Sequence, residues 1–365
     1  MKRLLLSFCL LWVILFSYAD HYRVLFIGNS YTEVNNLPQM ISNLASSAGD
    51  TIVFASHTPG GCTFQQHLSG ALSLIRQGGW DYVVLQEQSQ LPSFPYSQFM
   101  SESYPFARGL CDSIRAYNPD TKIVFYMTWG RKNGDQQNCP YYPPLCTYEG
   151  MDSLLFARYM MMAEDNRTLV SPVGYVWHYI RDHYPDIELY QSDESHPSLA
   201  GSYTAACTFY ATLFHKTPMA ITTDEGVGTE RSEWIRRAAT ELVYDSLSRW
   251  SFIEPSDTIH GGDSVTVQEY TMPMFNLYPN PVTHTLTLKS SVVLEEPVSI
   301  FVYDEYGKLC ISEQNSNANT YSISVVQLPA GVYFLKVMAG EKSYPIHKFI
   351  KTTERLRLIL WCLAK

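Results

Sequence analysis

Three short stretches carry residue types that could act together on an acyl group. Gly28-Asn29-Ser30-Tyr31-Thr32 puts a serine directly after the apolar run RVLFIG at 23–28. A hydroxyl at such a strand end is exposed at the rim of a sheet, and its own N–H can point at a substrate oxygen. The plainer reading of the same pentapeptide is a helix N-cap serine. Asp193-Glu194-Ser195-His196-Pro197 sets a carboxylate and an imidazole three residues apart. In a tight turn that spacing brings the carboxylate to Nδ1 and leaves Nε2 for a hydroxyl, so one loop supplies base and orienting acid. Alone, it would also pass for an aspartate N-cap beside a surface histidine. Attack by Ser30 would create an oxyanion, which needs preorganised donors. The Ser30 N–H is one. Gly60-Gly61 can bring a bare backbone N–H close to substrate, and Gln86-Glu87-Gln88-Ser89 offers a side-chain amide. Tyr31 and Trp129-Gly130-Arg131 are placed to line a substrate pocket, whereas His57 and His67 read as satisfied or solvated histidines.

These pieces require a scaffold that brings distant loops to one edge. Residues 23–250 alternate apolar strands with helical stretches. Strands are expected at 23–28, 51–55, 81–85 and 122–128, with a weak fifth around 168–173. Helices are expected at 37–48, 63–77, 98–117, 147–164, 178–183, 199–214 and 230–249. Continuous apolar strands separated by helices imply a parallel sheet covered on both faces. Ligands then sit at the carboxyl ends of the strands, where every residue named above falls. The expected class is α/β, followed by a small all-β domain: 273–351 alternates apolar and polar residues between turns, with strands at 285–289, 298–303, 321–326 and 332–337. The stretch 251–272, with Pro255 and Gly261-Gly262, reads as a linker.

The set resembles the SGNH/GDSL hydrolase superfamily over about residues 22–216. Gly28-Asn29-Ser30 stands where that family has Gly-Asp-Ser, Gly60 or Gly61 where it has its oxyanion glycine, and Asp193-x-x-His196 where it has Asp-x-x-His. The resemblance implies a flavodoxin-like three-layer fold and esterase or lipase chemistry without a metal or other cofactor, with Ser30, His196 and Asp193 as the triad. Two departures stand out. Asn29 replaces the usual aspartate, and the Gly-x-Asn-Asp block is missing, with Gln86-Glu87-Gln88-Ser89 in its place. Gln88 aligns with the oxyanion asparagine, and Gln86 is its rival.

Composition narrows the field. The chain has 365 residues and a net charge of -9, with no basic patch of the kind nucleic-acid binding requires. Lys2 and Arg3, the apolar run 4–16 and Ser17-Tyr18-Ala19 read as a signal peptide ending at Ala19, so the hydrolase domain is expected over 20–250. In an oxidising compartment Cys139 and Cys146, around a three-proline segment, are a plausible pair, and no cysteine–histidine spacing resembles a zinc site. Leu277-Tyr278-Pro279-Asn280-Pro281, Val302-Tyr303-Asp304 with Gly307-Lys308, and Leu328-Pro329-Ala330-Gly331-Val332-Tyr333 resemble the C-terminal sorting domain of type IX secretion cargo. That resemblance implies passage through the periplasm, the type IX machinery as partner, and a secreted or cell-surface product. The tail 352–365 runs past the expected end of that domain. The functional expectation is a secreted esterase removing acetyl or similar groups, with an acylated glycan as the favoured substrate. The competitors are a non-catalytic surface glycan-binding protein and a lipase or thioesterase acting on longer chains.

Overall fold

In the computed structural model the described residues are 19–253, 275–290, 296–304, 308–315, 318–339, 342–343 and 347–352. Residues 1–18 of the expected leader, nearly all of the expected linker, Gly307 and the tail from residue 353 lie outside them.

The first unit is a five-stranded parallel sheet in the order β2-β1-β3-β4-β5. Its strands are β1 (His21–Ile27), β2 (Thr51–His57), β3 (Tyr82–Leu85), β4 (Lys122–Tyr126) and β5 (Leu169–Ser171). Val24 to Ile27 are all fully buried, as expected of a central strand covered on both faces. The flanking helices are α1 (Ser30–Glu33), α2 (Leu37–Ser47), α3 (Phe64–Gly70), α4 (Leu72–Gln77), α5 (Tyr96–Glu102), α6 (Tyr104–Tyr117), α7 (Tyr148–Asp165), α8 (Val173–His183), α9 (Leu199–Phe214) and α10 (Thr229–Leu242). α2 packs on α9, and α3 on α6.

The register decides where chemistry can occur. Ile27 pairs with His57 on one side and Leu85 on the other, and Leu85 pairs with Phe125. The ends of four strands are therefore level. Hydrogen bonds from Gly28 N to His57 O (3.1 Å) and from Gln86 N to Ile27 O (2.8 Å) carry the ladder into the loops. Strand order reverses between β1 and β3, the switch point where open α/β sheets form clefts.

Several boundaries differ from the sequence reading. The single helix expected over 98–117 is broken at Ser103 (φ -128°, ψ -55°), because Pro105 has no N–H to give to the preceding turn. The helix expected over 63–77 is likewise two helices meeting at Ala71. The weak fifth strand is three residues long, and α8 begins at Val173, five residues before the helix expected from 178.

The C-terminal unit is antiparallel. A three-stranded sheet, β10-β7-β6, combines β6 (Phe275–Tyr278), β7 (Thr285–Ser290) and β10 (Thr320–Ser324). The second sheet holds β8 (Val298–Asp304), β9 (Leu309–Asn315), β11 (Gly331–Ala339), β12 (Lys342–Ser343) and β13 (His347–Lys351), with β11 central. Leu286 and Leu288 of the first sheet and Val298, Ile300, Leu335 and Val337 of the second share one buried cluster, as in a sandwich. The cluster of the α/β unit is separate and runs from Val24 to Trp250. Strands β6, β9, β12 and β13 are not among those expected from the sequence. β9 carries Cys310, Ser312 and Glu313 in place of a clean alternation, and β12 is only two residues long.

Candidate active site

Ser30 opens α1 directly after β1, with Asn29 as its N-cap. Asn29 O accepts from Thr32 N (2.9 Å) and Glu33 N (3.0 Å), and Asn29 Oδ1 accepts from Tyr31 N (3.3 Å). Three of the four N–H groups of this short helix thus turn inward onto Asn29, and the N–H of Ser30 is not among them. Ser30 Oγ lies 2.8 Å from His196 Nε2, and His196 Nδ1 bonds Asp193 Oδ2 in a short contact. A carboxylate only accepts, so Nδ1 carries the ring proton. Nε2 is then an acceptor, and Ser30 donates to it. The structure thus brings together the three residues singled out as a triad.

The loop bearing His196 is a strained turn. Asp193 Oδ1 accepts from Ser195 N (3.1 Å) and His196 N (3.0 Å), and Glu194 sits at φ +60°. A left-handed glutamate costs free energy and persists only where its surroundings hold it. Here Glu194 O accepts from Lys132 N (2.9 Å), Glu194 N donates to Gln191 O (3.0 Å), and Asn133 Nδ2 donates to Glu194 Oε2 (2.8 Å). Partial burial alone would raise the Asp193 pKa, but the hydrogen bonds from His196 and Ser195 outweigh it and hold the carboxyl below its ordinary value. Asp193 therefore stays ionised at neutral pH.

Tyr31 and Trp129 are not where a substrate wall was expected. Tyr31 is 1% exposed and Trp129 is fully buried. Their rings stack at 4.7 Å, and Trp129 stacks in turn on Trp177 at 3.8 Å. Two rings of this stack hold the loop of His196 at Ser195: Tyr31 OH lies 2.7 Å from Ser195 Oγ, and Trp129 Nε1 donates to Ser195 O (3.1 Å). The sequence placed both residues at strand ends, correctly, but strand-end position does not say which way a ring points.

Gly60 and Gly61 form a turn closed by Cys62 N donating to Pro59 O (3.1 Å). Gly61 requires its φ of +67°, and the space beside both glycines is open. Asn29 Nδ2 ties this turn to the residue before Ser30 by donating to Cys62 O (3.1 Å). It also donates to Glu87 O (3.2 Å). An aspartate could make neither bond, which gives the departure at position 29 a physical reason.

The two glutamines separate cleanly. Gln86 is fully buried, and its amide is wholly used. Nε2 donates to Asn29 Oδ1 (2.9 Å) and Glu87 O, while Oε1 accepts from Asn29 N (2.9 Å) and Thr32 Oγ1 (2.9 Å). It has no N–H left for a substrate. Gly28 makes room for it, since a Cβ there would lie 2.6 Å from Gln86 Oε1. Gln88 is half-buried; its Oε1 accepts from Gln90 N (2.8 Å) and Leu91 N (3.1 Å), and Nε2 gives one bond to Gln90 Oε1 (3.1 Å). An amide nitrogen has two protons, so one of the two is committed within the loop.

Sequence reading passed over Glu87. Its carboxylate is fully buried, and Oε1 accepts from Phe64 N (2.8 Å) and Gln88 N (2.7 Å) while Oε2 accepts from Ser103 Oγ (2.7 Å). Burial pushes its pKa up to about 7, against the pull of these three donors. His57 and His67 form a pair with Nδ1 atoms 2.9 Å apart. Burial and the neighbouring His57 lower the His67 pKa to about 4, so it is neutral, as expected of a structural histidine.

Beside the site, Asp135 roots the loop closed by the Cys139–Cys146 disulfide. Asp135 N donates to Leu145 O (2.7 Å), and its carboxylate accepts from Gln90 Nε2 (2.6 Å), Asn138 Nδ2 (2.7 Å) and Arg131 (3.1 Å).

Residues 276–352 match the family model of the secretion system C-terminal sorting domain. The chain thus carries the sorting signal expected from its motifs, which directs export by type IX secretion to the cell surface or the medium. No curated protein is detectably similar to the chain in sequence. Among solved structures, a DUF4886 family protein from Bacteroides uniformis aligns with a TM-score of 0.54 at 21% identity, covering 62% of this chain and 97% of that one. At that identity the likeness concerns the fold alone. A protein described as an SGNH hydrolase from Slackia heliotrinireducens aligns at 27% identity with a TM-score of 0.44, covering 53% of this chain and 99% of that one. A catalytic mutant of the acetylxylan esterase Axe2 from Geobacillus stearothermophilus gives 14% and 0.38, covering 53% and 94%.

Proposed function

We propose that the α/β unit is a serine esterase, secreted or displayed at the cell surface, that removes short acyl groups, acetyl above all, from carbohydrate. The observation that carries the reading is the Ser30–His196–Asp193 relay, with Ser30 Oγ 2.8 Å from Nε2. His196 Nε2 takes the Ser30 proton as Oγ attacks the ester carbonyl. The oxyanion is received by the Ser30 N–H, a backbone N–H of the Gly60-Gly61 turn and the second amide proton of Gln88. As the C–O bond to the alcohol breaks, the imidazolium returns its proton to the leaving oxygen. Water, deprotonated by the same imidazole, then releases the acid from Ser30. Asp193 stays ionised throughout and holds the tautomer.

Exposure supports a bulky external substrate. The side chains of His196 and Asp193 are 31% and 47% exposed. A shallow open relay admits an acyl group on a polymer, whereas a long acyl chain needs a deep apolar slot. The deciding experiment compares wild type and Ser30→Ala on a chromogenic acetyl ester, on an acyl-length series and on acetylated polysaccharides. Turnover should be greatest at two carbons, with acetate released from at least one polysaccharide and none by the variant. A preference for long chains would replace this reading with a lipase or thioesterase. Equal rates for the two proteins would end the serine mechanism.

A further inference from the structure

Resting on that reading, we infer that Glu87 is a positioning residue for the esterase: its carboxyl group fixes the two backbone segments that flank Ser30. The argument is geometric. The nucleophile stands between two walls, the turn 59–62 that runs into α3 and the loop 86–90 after β3. One oxygen, Glu87 Oε1, accepts from Phe64 N of the first wall (2.8 Å) and from Gln88 N of the second (2.7 Å). The other oxygen is anchored by Ser103 Oγ (2.7 Å), at the break between α5 and α6. A second strut runs parallel to it, because Asn29 Nδ2 donates to Cys62 O (3.1 Å) and Glu87 O (3.2 Å). The separation of Gly60-Gly61 from Gln88, and hence the size and aim of any oxyanion cradle between them, is set by this acid and this amide.

Protonation on Oε2 would leave that arrangement standing. The acid O–H would donate to the Ser103 hydroxyl, which accepts as well as donates, while Oε1 kept both backbone N–H groups. The titratable groups facing Glu87 are the Tyr159 phenol of α7 and the Cys62 thiol, both raised by burial and both neutral at working pH. Its own phenol contact is a bond from Glu87 N to Tyr159 OH (3.3 Å). No cation bonds Glu87 among the described residues, consistent with burial holding its pKa near 7, in the range where an esterase operates. In either protonation state Oε1 remains the joint acceptor of both walls.

The test uses the whole chain. Glu87→Leu removes both acceptors, whereas Glu87→Gln keeps the shape and can still offer its amide oxygen to both backbone donors and an N–H to Ser103 Oγ. The kcat of the leucine variant on an acetyl ester should fall at least ~10-fold with KM changed less than ~2-fold, as expected when an interaction made in the transition state is loosened, and the glutamine variant should recover most of that loss. Independently of activity, hydrogen exchange at the Phe64 and Gln88 amides should accelerate in the leucine variant and return toward wild type in the glutamine variant. Ser103→Ala, which frees Oε2 while leaving Oε1 in place, should accelerate both exchanges more weakly and serves if the leucine variant does not fold. An unchanged kcat in the variant that folds, with Phe64 and Gln88 exchanging as in wild type, would overturn the inference while leaving the triad intact. An inactive wild type would instead strike the esterase reading, and the exchange data would still decide whether Glu87 pins the two walls.

Discussion

Ser30 and His196 touch, yet they rest on different ground. Beneath Ser30 lie Asn29, Gln86 and Glu87, each no more than 2% exposed and each hydrogen-bonded to the next loop. Beneath His196 lies a surface turn whose aspartate is nearly half exposed and whose shape depends on a left-handed Glu194 and two buried aromatic rings. The Ser30 side is a buried polar core whose groups satisfy one another. The His196 side is a strap that solvent can help to satisfy. The contrast suits the proposed chemistry: a nucleophile and its oxyanion donors must be held to a fraction of an ångström, whereas an imidazole needs only to reach one hydroxyl and then one leaving oxygen.

If that contrast is sound, equal-sized changes on the two sides should fail in different ways. Asp193→Asn should produce the largest loss of rate, roughly 10⁴-fold in kcat, since the amide favours the wrong tautomer and offers the imidazolium no charge. Its melting temperature should scarcely move, because the site is open to water. Asn29→Asp should cost less rate, on the order of 10³-fold, but far more stability. A buried carboxylate would face two carbonyl oxygens with no cation beside it, worth roughly 3 kcal/mol or more. Rate assays paired with thermal melts of the two variants decide the matter, and matching stability losses would erase the distinction. Gln88→Ala should follow at ~10²-fold in kcat, the usual cost of one oxyanion donor. A loss confined to KM would mean that its amide binds ground-state substrate instead. Tyr31→Phe should be the mildest, about 3-fold in kcat, for one neutral hydrogen bond to Ser195 on the tolerant side. A drop comparable to that of Gln88→Ala would show the strap to be as exacting as the core.

Much of this was readable in the residues. The strands at 23–28 and 81–85 betray themselves by unbroken apolar runs, and runs of that kind occur where both faces of a parallel sheet are covered. The Asp193–His196 spacing fixes its own geometry, because three residues and a turn leave the carboxylate few other places to go. What escaped was everything that depends on side-chain direction. Trp129 sits at a strand end whether it faces a substrate or the interior, and only packing against Trp177 decides. Gln86 and Gln88 have the same side chain two residues apart, a spacing that in an extended strand would put both on one face. Their different fates follow from Gly28, which admits one of them to the core. Glu87 drew no attention because a glutamate is usually solvated, and its partners Phe64 and Ser103 lie 23 and 16 residues away.

The Cys139–Cys146 bond gives the molecule a clock. Inside a reducing cytoplasm those thiols stay apart, and the short loop between them lacks a constraint worth about 2–3 kcal/mol. Asp135 must then hold its base with hydrogen bonds alone, and through Gln90 the same slack reaches the loop that carries Gln88. Oxidation outside the cytoplasm tightens the loop beside Ser30, so on the proposed reading the exported chain is a better-held catalyst than the newly made one.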